Sequence, residues 1–355
     1  MWKTDQVINK KFLLFRKILI LVANWLKFVK VRKVNTVLST LFMKKRLLAL
    51  STLMFASVGV FGQQDMALTH FFYNKMLFNP GATGIDEGIC GSLLYRNQWD
   101  KVSGAPNSAT FNAEANIERW FPAGVGITFA HDAIGFNRQN NFALNYSQHV
   151  TTSVGTLGIG VGLGFMNFGL NPTWVPPTTN FDPTLPASSS ATAFDLNAGL
   201  YWKGTTQPYY IGISSTHLSA PILAQTSSLL ASPAVNYNTA RHYYFMGGYV
   251  FEELGPGNLD IQALVQSDLV KTSFNLNARY IVNNQFYGGL GYRSSDAVSV
   301  MAGFIPWPGA AISYSYDLTL NKLSNVSRGT HEVVVKYCYY LPPPPRTVSN
   351  HPRWL

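Results

Sequence analysis

The sequence predicts an all-β fold: a transmembrane antiparallel β-barrel of about fourteen strands, of the kind found in outer membranes. Three observations support this fold class. Charged residues form only 12% of the 355 residues, whereas hydrophobic residues form 47%, and soluble domains carry about 25% charged residues. Short segments with alternating polarity recur from residue 89 onward. The lengths of the connections between these segments also alternate along the chain.

The predicted strands show a period of two, which is typical of strands with one apolar and one polar face. In 109–118 apolar residues alternate with Thr, Asn or Glu. In 157–165 glycines alternate with Leu, Ile, Val and Phe. No helix pattern follows those glycines, so a strand is favoured over a nucleotide-binding loop. The fourteen predicted segments are 89–99, 107–119, 123–132, 138–150, 154–170, 191–203, 207–217, 240–251, 258–268, 272–282, 284–294, 297–305, 309–318 and 329–341.

When the connections between the predicted strands are numbered in order along the chain, their lengths depend on whether the number is odd or even. Those with even numbers are short turns, whereas the odd ones include the long insertions 171–190, 218–239 and 319–328. Outer-membrane barrels have short periplasmic turns and longer external loops. The pattern therefore predicts periplasmic N- and C-termini, and it makes the loops 171–190 and 218–239 candidates for contact with a partner.

The same alternation divides the strands into two faces. Polar residues are expected to face the lumen, because unpaired polar groups facing lipid are costly, and Phe, Leu, Ile, Val and Tyr occupy the opposite faces. Trp99, Trp120, Trp202 and Trp307 lie near strand ends and suit interfacial girdles. The predicted lumen-facing residues are Arg96, Gln98, Asn112, Glu114, Asn145, Asp195, Asn197, Asn275, Asn277, Arg279, Arg293, Glu332 and Lys336.

The net charge of +10 comes from the N-terminal region. Residues 1–62 hold 12 of the 27 Lys and Arg residues and one of the 17 acids, which leaves 15 basic and 16 acidic residues in the remainder. The rest shows no basic patch with interleaved aromatic residues, so nucleic acid is not a predicted partner.

Residues 43–62 have the three parts of a secretory signal peptide, a charged start, an apolar stretch and a cleavage site after Gly62. The predicted mature chain begins at Gln63. Residues 1–42 are apolar and basic, but their longest uncharged run is too short to span a bilayer. A misassigned N-terminal extension, with translation starting at Met43, explains this region, and a real membrane anchor is the alternative.

Two further segments flank the predicted barrel of residues 89–341. Residues 63–88 lack a strand pattern and are rich in aromatic residues, so we expect a plug in the lumen or a periplasmic segment. The glycines of the fifth strand would let a plug approach closely. Residues 342–355 begin with four prolines, which favour a stiff polyproline II segment in the periplasm. This tail either docks a periplasmic partner or is inert.

The two cysteines form neither a disulfide framework nor a metal site by their spacing. Cys90 begins the first strand and Cys338 lies near the end of the last one. Closure of the barrel requires these two strands to pair. We therefore hypothesise that the two cysteines are neighbours across the seam; the alternative is that they are two unrelated small apolar residues.

Several short motifs, in order along residues 63–341, resemble the PorP/SprF family of type 9 secretion system membrane proteins. They include the mature start Gln63-Gln64-Asp65, the segment 79–84, which has glycine where alanine is usual, and the dipeptide His217-Leu218. The remaining motifs lie in 95–106, 292–297, 313–317 and 329–332. The family-motif residues are Asn79, Pro80, Gly84, Tyr95, Arg96, Asn97, Gln98, Trp99, Gly104, Pro106, Tyr292, Arg293, Asp296, Tyr316, Asp317, His331 and Glu332.

The resemblance implies an outer-membrane component that helps export large cell-surface adhesins or anchor them, with a role in gliding motility in gliding bacteria. The implied partners are the C-terminal domain of a type 9 secreted adhesin and periplasmic proteins of the secretion ring or bound to peptidoglycan. The Pro-rich tail departs from many barrels, which stop at an aromatic residue of the last strand.

The sequence lacks the motifs of common enzymes. The seven histidines show no metal-ligand spacing, and there is no nucleophile elbow and no phosphate loop. We therefore predict no enzymatic activity and no cofactor. Two classes of function remain: a scaffold for secretion and adhesin anchoring, or an outer-membrane transport channel for small or hydrophobic solutes.

Overall fold

The computed structural model describes residues 65–173, 185, 188–225 and 235–340. The predicted extension 1–42, signal peptide 43–62 and tail 342–355 lie outside the described residues. The same holds for Gln63 and Gln64 of the predicted mature start and for parts of both long loops.

Fourteen strands close into one antiparallel barrel in which the first strand pairs with the last. This confirms the predicted fold class, and each strand begins and ends within three residues of its predicted bounds. The barrel strands are β1 Ile89–Asn97, β2 Asn107–Asn116, β3 Ala123–Ile134, β4 Asn137–Thr151, β5 Gly155–Leu170, β6 Ser189–Gly204, β7 Tyr209–Thr216, β10 His242–Leu254, β11 Gly257–Ser267, β12 Thr272–Val282, β13 Phe286–Arg293, β14 Ala297–Phe304, β15 Ala310–Thr319 and β16 Thr330–Tyr339.

The connection between β7 and β10 contains a structure that the sequence did not predict. Two short strands, β8 (Ile222–Gln225) and β9 (Val235–Asn238), pair as a separate hairpin. The period-two pattern is too short in four-residue strands to separate them from a loop.

Four short helices complete the described elements. Three of them precede the barrel, namely η1 (Phe71–Tyr73), α1 (Lys75–Phe78) and η2 (Pro80–Ala82), and η3 (Lys322–Asn325) lies between β15 and β16. Within the described part of the chain, no helix has the length and apolar character needed to cross a bilayer.

The two ends of the barrel differ in their connections. We call the end where β1 begins and β16 ends the terminal rim, and the opposite end the distal rim. No connection at the terminal rim is longer than six residues, whereas the distal rim carries the connections 171–188 and 217–241. The length asymmetry read from the sequence is therefore present in the structure.

The barrel wall is apolar outside and polar inside, the reverse of a soluble domain. Leu93, Ile213 and Leu290 face outward and are 59%, 59% and 63% exposed. Buried polar side chains point inward along nearly every strand; among them are Arg96, Asn112, Asn145, Asp195, Asn277, Arg293 and Glu332. A wall with this polarity is stable only with lipid around it.

The seam between the first and last strands carries a covalent link. The register pairs Cys90 with Cys338, and the two cysteines form a disulfide. This confirms the hypothesis that they are neighbours across the seam. The link joins positions separated by 248 residues in sequence, so it closes nearly the whole barrel into one covalent ring.

Candidate functional site: the plug and its anchors

Residues 65–88, which we call the plug, lie inside the barrel. Leu68 and Phe71 are fully buried there. Hydrogen bonds join the plug to ten strands: β1, β2, β4, β6, β7, β10, β12, β13, β15 and β16. Strands β1 and β10 lie on opposite sides of the barrel, so the plug crosses the lumen.

One side of the plug is held by a cluster of buried charged and polar residues, which we call the charge anchor. Its members are Thr69, His70, Arg96, Arg293, Asp317 and Glu332. Glu332 accepts hydrogen bonds from the backbone amides of Thr69 (3.0 Å) and His70 (2.6 Å). It also contacts Nδ1 of His70 at 2.8 Å and Nη1 of Arg96 at 2.8 Å. A single carboxylate of the wall therefore fixes two consecutive plug residues.

The second carboxylate of the charge anchor completes its charge balance. Asp317 lies 2.9 Å from Nη2 of Arg96 and 3.3 Å from Nη1 of Arg293. The hydroxyl of Thr69 donates to Asp317 at 3.0 Å and accepts from Arg293 at 2.8 Å. Two guanidinium groups thus face two carboxylates with the plug hydroxyl between them. Removing one member of such a buried network is destabilising by about 3–5 kcal/mol.

The opposite side of the plug is held by close packing against glycines of the barrel wall. Gly124, Gly158, Gly160 and Gly199, which we call the glycine face, lie on β3, β5 and β6. A Cβ atom on any of them would collide with the plug between Asn79 and Gly84. The plug backbone therefore approaches the wall more closely than any residue with a side chain would allow.

The motif segment 79–84 forms the part of the plug that packs on the glycine face. The amide of Asn79 donates to the carbonyl of Leu200 at 2.9 Å, and its oxygen accepts from the backbone amide of Gly81 at 2.8 Å. Pro80 begins η2. Gly84 has a φ of 65° and donates to Glu114 at 2.8 Å.

A second group of motif residues lines a cavity of about 370 Å³ at the distal rim, which we call the distal cavity. Gln98, Trp99, Pro106 and Asp296 belong to its wall, and the plug residue Asp65 contributes to its lining. Trp99 therefore lines this cavity, although its position near a strand end had predicted a membrane girdle. Trp120 and Trp307, at 74% and 57% exposure, lie at the terminal rim, where a girdle is expected.

The remaining motif residues lie outside the lumen or in a turn. Tyr95 and Tyr292 are exposed on the lipid face. The ring of Tyr316 packs against His331 with centroids 5.2 Å apart. Gly104 adopts a φ of 73° in the β1–β2 connection. Asn97 is the last residue of β1. The structure does not bring these residues to the plug.

A third feature is a cavity of about 300 Å³ at the terminal rim, which we call the terminal cavity. Lys75, Asp86, Lys203 and Lys336 line it together with aromatic residues. Lys203 lies 2.7 Å from Asp86. Burial opposes ionisation of Asp86, but these three lysines lower the pKa of its carboxyl below the ordinary value. The cavity therefore combines aromatic walls with several fixed charges.

Sequence reasoning missed the plug residues on which the wall side chains converge. Thr69 and His70 were not singled out, although Arg96, Asp317 and Glu332 were. His217 and Asp65 were noted only as parts of motifs, and His242 was not noted. The polar pair Thr69-His70, directly before an aromatic run in a segment without strand pattern, is the local signal that could have pointed to the plug contacts.

The fold and the site define an outer-membrane β-barrel with an internal plug. The sequence profile described as type IX secretion system membrane protein PorP/SprF matches residues 60–337. The chain belongs to this family. No curated protein sequence matches it significantly.

Three solved structures illustrate the general likeness in fold. The outer membrane protein Omp33 of Acinetobacter baumannii is 8% identical with a TM-score of 0.42, over 72% of this chain and 100% of that chain. The toluene transporter TbuX of Ralstonia pickettii is 14% identical with a TM-score of 0.46, over 76% and 94%. A FadL homologue of Pseudomonas aeruginosa is 13% identical with a TM-score of 0.40, over 74% and 93%.

Proposed function

We propose that this protein is the component of a type IX secretion system that helps export large cell-surface adhesins or anchor them, and that it serves gliding motility in gliding bacteria. Family membership supports the secretion role. The charge anchor supports the choice of a scaffold over a channel, because it fixes the plug across the lumen. In this proposal the protein is not an enzyme.

The buried contacts of the plug make opening of the lumen energetically costly. A solute path through the barrel requires the plug to leave its contacts with Arg96, Asp317 and Glu332. Those groups would then remain in the wall with fewer partners, and each lost buried partner costs several kcal/mol. A plug held in this way favours a stable surface for binding proteins over a gate that opens with each transport cycle.

The two rims are assigned to different partners in this proposal. The distal rim faces outside, and the distal cavity with Trp99 and Asp296 binds the C-terminal domain of the secreted adhesin. The terminal rim and both chain termini face the periplasm. There the terminal cavity and the tail 342–355 contact secretion-ring or peptidoglycan-associated proteins.

The test is affinity purification of the tagged native protein from membranes in mild detergent, with mass spectrometry of the proteins that accompany it. We expect a large surface adhesin with a type IX C-terminal domain, or periplasmic secretion-ring proteins. The variant Trp99→Ala is expected to lose the adhesin and keep the periplasmic partners. Trp307→Ala, at the opposite rim, is the matched control and should keep the adhesin.

Two results would contradict the proposal. A folded barrel that brings no protein partner would favour the transport channel for small or hydrophobic solutes, which uptake assays would then examine. Equal loss of adhesin from both tryptophan variants would remove the distal cavity as the binding surface.

A further inference from the structure

The first described residue of the plug meets two histidines of the barrel wall. Asp65 Oδ1 lies 3.1 Å from Nε2 of His217, and Asp65 Oδ2 lies 3.5 Å from Nδ1 of His242. His217 directly follows β7 and His242 begins β10. The three ligand atoms lie within 4.8 Å of one another. Both histidines are almost fully buried.

These distances match the spacing of ligands around a small metal ion. Zinc binds histidine nitrogen and carboxylate oxygen at about 2.0–2.2 Å in tetrahedral sites, which places neighbouring ligand atoms about 3.3 Å apart. The separations of 3.1 Å from Asp65 Oδ1 and 3.5 Å from Asp65 Oδ2 lie close to that value, and one ligand atom from each residue lies within 4.8 Å of the others. A shift of less than about 1 Å would bring the three atoms into the coordination sphere of one ion.

The side chain of His242 provides an independent observation that points to a metal site. Its Nδ1 is buried and has no hydrogen-bond partner among the described residues, and its 3.5 Å approach to Asp65 makes no hydrogen bond. Buried polar atoms are rarely left without a partner, and each such atom calls for an explanation. A metal ion in front of Nδ1 would satisfy it.

The surroundings of His217 resemble those of a metal-binding histidine. Its Nδ1 contacts Asp195 at 2.7 Å, and histidines that bind metal through one nitrogen usually donate the other N–H to a carboxylate or carbonyl. His217 also adopts a φ of 56°, a conformation uncommon for residues other than glycine. The hydroxyl of Tyr244 lies 2.6 Å from Asp65 and fixes that carboxylate.

We propose that Asp65, His217 and His242 bind one divalent transition-metal ion of the zinc class, which ties the start of the plug to β7 and β10. Asp195 orients His217. The adjoining cavity of about 60 Å³, lined by Asp65, His217 and Tyr244, leaves room for a water molecule as a further ligand. The metal secures the plug on the side of the barrel that lies opposite the charge anchor.

The competing explanation is a hydrogen-bonded cluster without a metal. In that case a protonated His217 lies between Asp195 and Asp65, and its positive charge balances the two carboxylates. The two explanations differ in whether the folded protein takes up a metal ion with defined stoichiometry and ligands.

The experiment uses the full mature protein in detergent, without a histidine tag and freed of metal by a chelator. Binding of Zn²⁺ is measured by competition with a chromophoric chelator, and Co²⁺ is added separately to record its visible absorption. We expect one Zn²⁺ per chain and Co²⁺ bands typical of a four- or five-coordinate site.

Three variants test the assignment. His242→Ala is expected to abolish stoichiometric binding, and Asp195→Asn to weaken it by about 10–100-fold. His331→Ala, which removes a histidine from the outer face, is the matched control and should bind as the wild type does. Folding of each variant is checked by its heat-dependent shift on semi-native gels.

The outcomes separate the two explanations. Failure of the folded wild-type protein to bind Zn²⁺, or equal binding by His242→Ala, would overturn the proposal. If His242→Ala does not fold, the Co²⁺ spectrum of the wild type decides, because bands of a six-coordinate aquo ion would also overturn it. None of these results depends on the identity of the secreted partner.

Discussion

The plug is held by two walls of opposite chemistry. At the charge anchor, Arg96 and Glu332 hold Thr69 and His70 through ion pairs and hydrogen bonds. At the glycine face, wall positions without side chains contact the plug: Gly158 and Gly160 meet its backbone, and Gly199 meets the side chain of Asn79. Charge fixes one side and close packing fixes the other.

The difference shows how a short segment can be fixed inside a wide barrel. Residues 65–88 contain only short helices, and their buried apolar side chains, such as Leu68 and Phe71, form a core together with barrel residues such as Met246. The charged wall provides strong, directional contacts that define one position. The glycine wall provides room for the plug, and a Cβ added there would collide with it. We therefore expect substitutions on the two walls to act by different mechanisms.

Substitution at the charge anchor should have the largest effect. Arg96→Met leaves Asp317 and Glu332 buried with one guanidinium fewer, so the free energy of unfolding should fall by about 3–5 kcal/mol. Urea unfolding in detergent, followed by the heat-dependent gel shift, measures the change. Arg119→Met at an exposed turn is the control, and an equal effect in both variants would contradict the anchor.

Loss of the seam disulfide should come next. The double variant Cys90→Ala with Cys338→Ala removes the link between β1 and β16, the strands that carry Arg96 and Glu332. We expect a loss of about 2–4 kcal/mol, because the link restricts the unfolded chain. The same unfolding assay, run with and without reductant, checks this. A wild type and double variant with equal stability under oxidising conditions would show that strand pairing alone holds the seam.

A methyl group on the glycine face should have a smaller effect. Gly160→Ala places a Cβ against the backbone of Pro80 and Gly81, and overpacking of this kind costs about 1–3 kcal/mol. Limited proteolysis should also show greater exposure of the plug. Gly169→Ala on the same strand, where an added Cβ meets no atom closer than 3.8 Å, should behave as the wild type. Equal proteolysis of both variants would count against close packing as the cause.

A single neutral hydrogen bond should matter least. Ser147 donates to the carbonyl of Gly81 at 3.0 Å, and Ser147→Ala should lower the free energy of unfolding by about 0.5–1.5 kcal/mol. Ser103→Ala in an exposed loop provides the reference. A loss as large as that of Arg96→Met would erase the distinction between the two walls.

The fold could be predicted because a barrel strand is a local pattern. Period-two alternation predicted the strands, and the connection lengths predicted which rim carries the long loops. Closure of the barrel predicted that Cys90 lies opposite Cys338. Even the inward direction of Arg96 and Glu332 followed from alternation alone. The hairpin of β8 and β9 was missed because four residues carry too little of that pattern.

The plug contacts could not be predicted in the same way. Thr69 meets Glu332 across 263 positions of sequence, and Asp65 meets His217 across 152. These pairs depend on how the plug lies in the lumen, which no alternation encodes. The motifs identified Arg96, Arg293, Asp317 and Glu332 one by one. Only the structure shows that their side chains converge on the plug residues Thr69 and His70.

The central claim, that the plug is fixed across the lumen, is tested most directly by ion conductance in planar lipid bilayers. The wild-type protein should insert without forming a steady pore. The double variant Arg96→Met with Arg293→Met, which removes both guanidinium groups of the charge anchor, should show stepwise conductance. Steady, open pores from the wild type, with a conductance equal to that of the double variant, would contradict the account.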